Sequence, residues 1–280
     1  YATFDEKIYS LLFTWGRIRK FSFFFSPTEF GIVMAITGMA ALSAFFFAKN
    51  KAGKIFAAAT ALVCLWSMLY TGSRTAMVLV PAGLLFLILI TFNRKVILLS
   101  VFIGVAGAAF MFKPGGSSAV YVMSTAFSGA KDPSMNVRLV NQQIIRSFIH
   151  SKPIGFGLGS TGYLGKKYSP YTFVGSFPPD SEYVKIAIET GWLGLLLWCL
   201  FLAFSFGYSA NVYFRVRDPD WRAFIVLSMV TQLLFVVAFY PQEILGSFVL
   251  SLMFIGAIAM TAKIDFINNR KTVTVDEEDR

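Results

Sequence analysis

The 280-residue sequence predicts an all-α, polytopic membrane helix bundle with about seven transmembrane helices and one long extracytoplasmic loop containing an amphipathic helix. Three observations predict it. Charged residues are only 14% of the chain against 56% hydrophobic, where a soluble domain carries roughly a quarter charged residues. The mean hydropathy is +0.65. The charges also gather in short clusters, leaving apolar runs at roughly 30–47, 55–73, 75–92, 96–112, 183–208, 223–240 and 244–262. No run alternates as a barrel strand does, and lipid obliges each to satisfy its own backbone as a helix. Pro81 falls inside the third run and predicts a kink there.

Orientation follows from the connections. Lys49, Lys51 and Lys54, then Arg94 and Lys95, then Arg215, Arg217 and Arg222 mark every second junction, while Arg74 and Glu243 stand in the alternate ones. The positive-inside rule puts the basic set in the cytoplasm. The chain then divides into an extracytoplasmic segment (1–29), helices one to four (30–112), an extracytoplasmic loop (113–180), helices five to seven (181–262) and a cytoplasmic tail (263–280). Arg17, Arg19 and Lys20 would face outward against the rule, and binding something anionic would account for them. The acidic stretch 273–280 is expected to be disordered. With no initiator Met and no signal-peptide pattern, the sequence is expected to be the C-terminal part of a longer protein.

Several function classes are disfavoured. The net charge of +10 lies beside apolar runs rather than on a soluble basic module, so nucleic acid is not an expected partner. Cys64 and Cys199 lie inside apolar runs and His150 is the single histidine, which leaves little for a disulfide or a metal site. No cofactor is expected.

Arg74 occupies Thr71-Gly72-Ser73-Arg74-Thr75, a break between two apolar runs. It is either an interfacial anchor or a ligand for an anion. In the outer loop, 136–149 reads as an amphipathic helix, with Val137, Val140, Ile144, Ile145 and Phe148 forming its apolar stripe. Arg138 and Arg146 share another face, which is a solvated surface or a phosphate grip. Gly155, Gly157 and Gly159 follow a helix and a proline, not a strand, so a dinucleotide loop is rejected. They suit close approach of backbone to a ligand or a neighbouring helix. Asp180 follows Pro178-Pro179 and fits an N-cap, a role that does not exclude proton transfer. Glu182, Lys185 and Glu189 form a charged stripe entering the fifth run, as a functional feature or a plain intrahelical pair.

Together these blocks resemble the O-antigen ligase and polymerase superfamily of bacterial membrane glycosyltransferases, of the GT-C type. Ser26-Pro27-Thr28-Glu29-Phe30-Gly31 is similar to that family's asparagine-proline motif before a span. Gly72-Ser73-Arg74-Thr75 looks like its Ser-Arg turn, and Arg138 with Pro153-Ile154-Gly155-Phe156-Gly157-Leu158-Gly159 like its arginine helix and glycine loop. Ser181, Tyr183, Glu189, Gly191 and Gly194 match a His-Asn-x-Tyr and Glu-x-Gly-x-x-Gly block, with Asp180 standing where the histidine would be. That departure points to a polymerase-type member.

The resemblance implies transfer of glycan repeat units from an undecaprenyl-diphosphate carrier to an acceptor sugar at the outer face of the bacterial inner membrane. It implies a metal-independent, inverting reaction. Arg74, Arg138 and Arg146 would bind the diphosphate; Asp180, then Glu182, would be the base; Tyr183, Lys185, Gly155, Gly157 and Gly159 would line the substrate cleft. The implied partners are the lipid-linked glycan, membrane lipid and other polysaccharide export or chain-length proteins. The rivals are a ligase acting on lipid A core, a flippase for the same lipid, and a non-catalytic membrane subunit.

Overall fold

The computed structural model describes residues 13–14, 17–92, 94, 96–102 and 133–278, of which 13–14, 17–18, 133–139 and 271–278 are described as backbone. Among these, a short antiparallel pair, β1 (Phe13–Thr14) and β2 (Arg17–Ile18), precedes an otherwise helical molecule. The first three helices, α1 (Pro27–Phe47), α2 (Lys51–Leu69) and α3 (Arg74–Thr91), match the first three apolar runs. Their starts are written in the sequence. The Ser26 hydroxyl accepts the Glu29 N–H with Pro27 in the first turn, Asn50 accepts from Gly53, and Ser73 accepts from Ala76. Pro81 lies inside α3.

The fourth apolar run is helical over 96–102, and its remainder lies outside the described residues. So do residues 103–132 as a whole, which include the first part of the expected extracytoplasmic loop. The amphipathic helix is present as α4 (Pro133–Ser151), followed by the short helices α5 (Gly162–Tyr168) and α6 (Phe173–Ser176). The bundle closes with α7 (Glu182–Arg215), α8 (Pro219–Ala238) and α9 (Phe248–Glu278). The stretch expected to be disordered instead continues α9 to Glu278; no glycine or proline interrupts it. Among the described residues, six helices are long and apolar enough to cross a membrane, as a multi-pass membrane protein requires.

α1 and α8 are the most buried of the six, and α2 is the most peripheral. Ile32, Ile36, Met39, Leu79, Leu87, Leu234, Phe235, Phe239, Leu250 and Phe254 form the main core between α1, α3, α8 and α9. Small residues set the spacing of the helices. Gly38 faces Leu65, and Gly83 faces Met39. At mid-depth, Gln232 of α8 donates to Ser209 (2.8 Å) and Ser228 (3.0 Å) and accepts from Ser205 (2.9 Å), while Thr261 of α9 donates to Ser228 (2.8 Å). This network ties α7, α8 and α9 together. A separate cluster of Ile145, Val174, Phe177 and Ile188 seats α4 and α6 on the start of α7.

At the far end of the bundle, Asp265 bonds Tyr208 (2.7 Å) and Arg215 (3.0 Å), and Lys49 pairs with Asp220. The starts of α1, α3, α7 and α9 and the ends of α2 and α8 meet at the opposite end, where the predicted functional residues collect.

Candidate active site

The α2–α3 turn is built from its own hydroxyls. Thr71 donates to the Met68 carbonyl (2.7 Å) and accepts from the Ser73 N–H (3.1 Å), which holds Arg74 as the first residue of α3. Arg19 reaches the same turn from the N-terminal segment. Its Nε donates to the Thr71 carbonyl (2.7 Å), and one terminal nitrogen lies 3.5 Å from the Thr28 hydroxyl. Burial first, and the neighbouring Arg74 charge second, push the Arg19 pKa below its ordinary value, though a guanidinium remains a cation. Two cations are thus held in each other's field at a half-buried turn.

α7 is not one helix. At Gly191 the backbone turns to φ 72°, ψ −176°, separating the charged first stretch from the apolar remainder. A 34-residue helix is about 50 Å long, well beyond the roughly 30 Å of a bilayer core. The charged stripe of Glu182, Lys185 and Glu189 therefore ends at the break and does not run on into the apolar part. A broken helix leaves carbonyls without donors. Here the glycine loop supplies them: Phe156 N–H donates to the Ile188 carbonyl and Gly157 N–H to the Glu189 carbonyl, both at 2.9 Å. The approach requires glycine on both sides. A Cβ at Gly155 would lie 2.5 Å from the Glu189 carbonyl oxygen, and one at Gly191 would overlap the Pro153 carbonyl. Gly155 is pressed against a neighbouring helix, one of the two uses expected of these glycines, a Cβ on Gly157 would meet open space, and the Gly159 N–H faces the Glu189 carboxylate.

The α8–α9 connection, residues 240–247, ties these parts together. The buried Glu182 carboxylate accepts the N–H groups of Ile244 and Leu245, each at 2.9 Å, while the Glu182 N–H donates to the Phe239 and Gln242 carbonyls. The Gln242 side chain donates to Thr75 beside Arg74 (3.4 Å). Glu243 pairs with Lys185 (2.5 Å), and Ser247 donates to the buried Glu29 of α1. Three helices, α1, α3 and α7, are pinned to one short segment. The sequence reading singled out neither Gln242 nor Glu29 as site residues. Their signal was slight: polar side chains at 29, 242 and 243 in otherwise apolar surroundings.

The predicted residues fall out as follows. Asp180 is not the cap of α7. Ser181 holds that position and its hydroxyl donates to the Phe239 carbonyl, so the Pro-Pro-Asp pattern placed the cap one residue early. The Asp180 carboxylate, half-buried, accepts the Asn141 amide of α4 (3.1 Å). Tyr183 turns into the bundle and donates to the Val236 carbonyl (3.0 Å), its ring edge-on to Phe239. Arg146 is exposed on α4. The Arg138 side chain lies outside the described residues, but its backbone stands one turn before Asn141 on α4. Among the described residues no three His, Cys, Asp or Glu side chains gather as a metal cage.

A family model described as O-antigen ligase matches residues 59–199, half of the chain, and takes in Arg74, the arginine helix, the glycine loop and the start of α7. No curated protein and no solved structure matches the chain. Membership carries O-antigen ligase- or polymerase-type function and glycosyltransferase-like activity. A helical bundle with two arginines at one turn, a glycine loop seated on a broken helix and a carboxylate ahead of that helix meets the match from the structural side, and the chain belongs to the O-antigen ligase family.

Proposed function

We propose that the protein is a polysaccharide polymerase, moving glycan repeat units from an undecaprenyl-diphosphate carrier to the end of an acceptor glycan at the outer face of the bacterial inner membrane. The observation that carries this reading is the convergence of Arg19 and Arg74 on the Thr71–Ser73 turn, in the same end of the bundle as Asp180 and the charged start of α7. In the reaction an acceptor hydroxyl oxygen attacks the anomeric carbon from the face opposite the carrier. The bond from that carbon to the diphosphate oxygen breaks, and the diphosphate leaves with one more negative charge. Arg74, helped by Arg138 and Arg146 on α4, stabilises that charge, a task that a divalent cation performs elsewhere.

The hydroxyl proton passes to Asp180, which the Asn141 amide orients. Glu182, as second candidate for the base, has one oxygen already engaged by two N–H groups, which favours Asp180. Lys185 lies within the field of Glu182, Glu189 and Glu243 at the rim of the proposed cleft. A flippase would need charged or open passage through mid-depth. There the polar side chains of α7, α8 and α9 bond one another, which favours transfer at one face.

Incubation of the purified protein with lipid-linked repeat units tests the reading. Products lengthened by whole repeats support a polymerase; transfer only to lipid A core marks a ligase; no transfer to either rejects both. The proposed orientation has its own test. A cysteine at Lys51 should resist an impermeant thiol reagent in intact cells, and one at Tyr171, which is exposed in the outer loop, should react. The reverse pattern would invert the molecule and with it the face of the reaction.

A further inference from the structure

The α8–α9 connection meets two helix starts at one residue. The Gln242 carbonyl accepts the Glu182 N–H (3.2 Å) at the start of α7, and its side-chain amide donates to the Thr75 hydroxyl (3.4 Å) at the start of α3. Its neighbour Glu243 faces the same place. A Cβ on Gly162 would lie 3.5 Å from Pro179, which precedes Asp180, and 3.7 Å from the Glu243 carboxylate. Gln242 thus stands between the start of α3 and the residues that flank Asp180. It is half-buried, and among the described residues its side-chain oxygen accepts no hydrogen bond.

The charges around it decide what that open end can face. Glu182 and Glu243 stand beside it, with Glu189 further along α7 and one ammonium, that of Lys185, among the three. Net negative charge there repels phosphate oxygens, so the open end of the amide suits a neutral group. An amide offers both an acceptor and a donor, and a sugar hydroxyl likewise gives and takes hydrogen bonds.

We infer that Gln242 binds a hydroxyl group of the sugar being transferred, the ring joined directly to the carrier diphosphate, and so selects that ring by its hydroxyl pattern. The inference rests on the reading above, which puts the diphosphate at Arg74 and the base at Asp180. The attacked anomeric carbon then lies between these two residues, and its ring lies against Gln242, which fills the gap. The Glu182 carboxylate, bonded to the Ile244 and Leu245 N–H groups, holds the segment so that the amide is presented at a fixed position. A polar group placed for one hydroxyl penalises a ring that lacks it, because the amide is then left unbonded.

The test uses the whole chain in lipid nanodiscs with two probes. One is undecaprenyl diphosphate carrying the repeat unit, isolated from cells that cannot polymerise it; the other is undecaprenyl diphosphate without sugar. Gln242→Met keeps the length of the side chain and removes both polar ends. Its affinity for the sugar-bearing carrier should fall roughly 10-fold, and that for the bare diphosphate should change by less than about 2-fold. Gln242→Asn keeps the connection polar but is one methylene shorter. It should show the same selectivity with a loss of about 3-fold, and it decides the matter if Gln242→Met does not fold. Equal losses for both probes, or none for either, would overturn the inference and leave Gln242 as a brace between α3 and α7. The parent reading fails separately, if the unmodified protein moves no repeat units to any acceptor.

Discussion

Two polar regions of this bundle obey opposite rules. The network at mid-depth is neutral and closed: Gln232 has both amide hydrogens and its oxygen engaged by Ser209, Ser228 and Ser205, and Thr261 completes it. The end at which α1, α3, α7 and α9 begin is charged. Arg19 and Arg74 share a turn, Lys185 sits among three glutamates, and Asp180 accepts the Asn141 amide of α4. In hydrocarbon, an incomplete polar group is costly, so the deep network holds α7, α8 and α9 together. Near the surface, water and ligands can complete what the protein leaves asymmetric. On the proposed reading, the difference separates polar residues that build from polar residues that act.

The largest effect should come from breaking the charged region at Arg74. Arg74→Ala should lower glycan transfer about 1000-fold with thermal stability and expression little changed, measured as polymer formed by purified protein. Arg74→Lys should recover little of it. Transfer at the normal rate in Arg74→Ala would make this residue an interfacial anchor.

Asp180→Asn comes next. Asn can keep the contact with Asn141 but cannot take a proton, and because Ser181 is the cap, the start of α7 is untouched. Activity should fall about 100-fold in single-turnover assays, at unchanged carrier affinity. Near-normal turnover would pass the base role to Glu182 or to another group. Asp180→His, which supplies the histidine of the motif that this block resembles, is the companion: retained activity would show that the position accepts either base.

The deep network should behave in the opposite way. Gln232→Leu keeps the volume but removes the hub, and interhelical hydrogen bonds in membranes contribute roughly 0.6 kcal/mol each. Unfolding in mixed micelles should show a loss of about 1–2 kcal/mol, while activity per folded molecule stays unchanged. A selective loss of transfer would place this network on the functional side of the comparison.

How much of this was legible in sequence depended on charge and on distance along the chain. The spans were legible because charge-free runs are rare and lipid leaves them one backbone solution. The break at Gly191 was hidden, since a glycine inside the apolar run 183–208 is commonplace and its partners at 155–157 lie over thirty residues earlier. The deep network was hidden because Ser, Thr and Gln carry no charge and read as tolerated residues of apolar runs. The arginines were legible as costly groups, but the pairing of Arg19 with the turn spans 52 residues and only folding brings them together. The 240–247 segment was the least visible, because its importance comes from Glu29 and Glu182, 218 and 62 residues away from their partners.

The smallest expected effect concerns Lys185, which lies between the two kinds of polar residue. Its ammonium bonds Glu243 at 2.5 Å, both side chains retain a fifth to a third of their exposure, and Glu182 and Glu189 contribute to the field around it. A pair this accessible stabilises by about 0.2–1 kcal/mol, so Lys185→Met alone should cost little stability and cannot separate a tether from a substrate contact. A double-mutant cycle can. If Lys185 only ties the 240–247 segment to α7, then Glu243→Gln should already carry the whole loss, and adding Lys185→Met should change transfer no further. If Lys185 touches substrate, transfer should fall again in the Glu243→Gln background, through KM rather than kcat, because a contact made equally in ground and transition states moves KM alone. The tether outcome would assign Lys185 to the builders with Gln232; the second would assign it to the proposed site with Arg74.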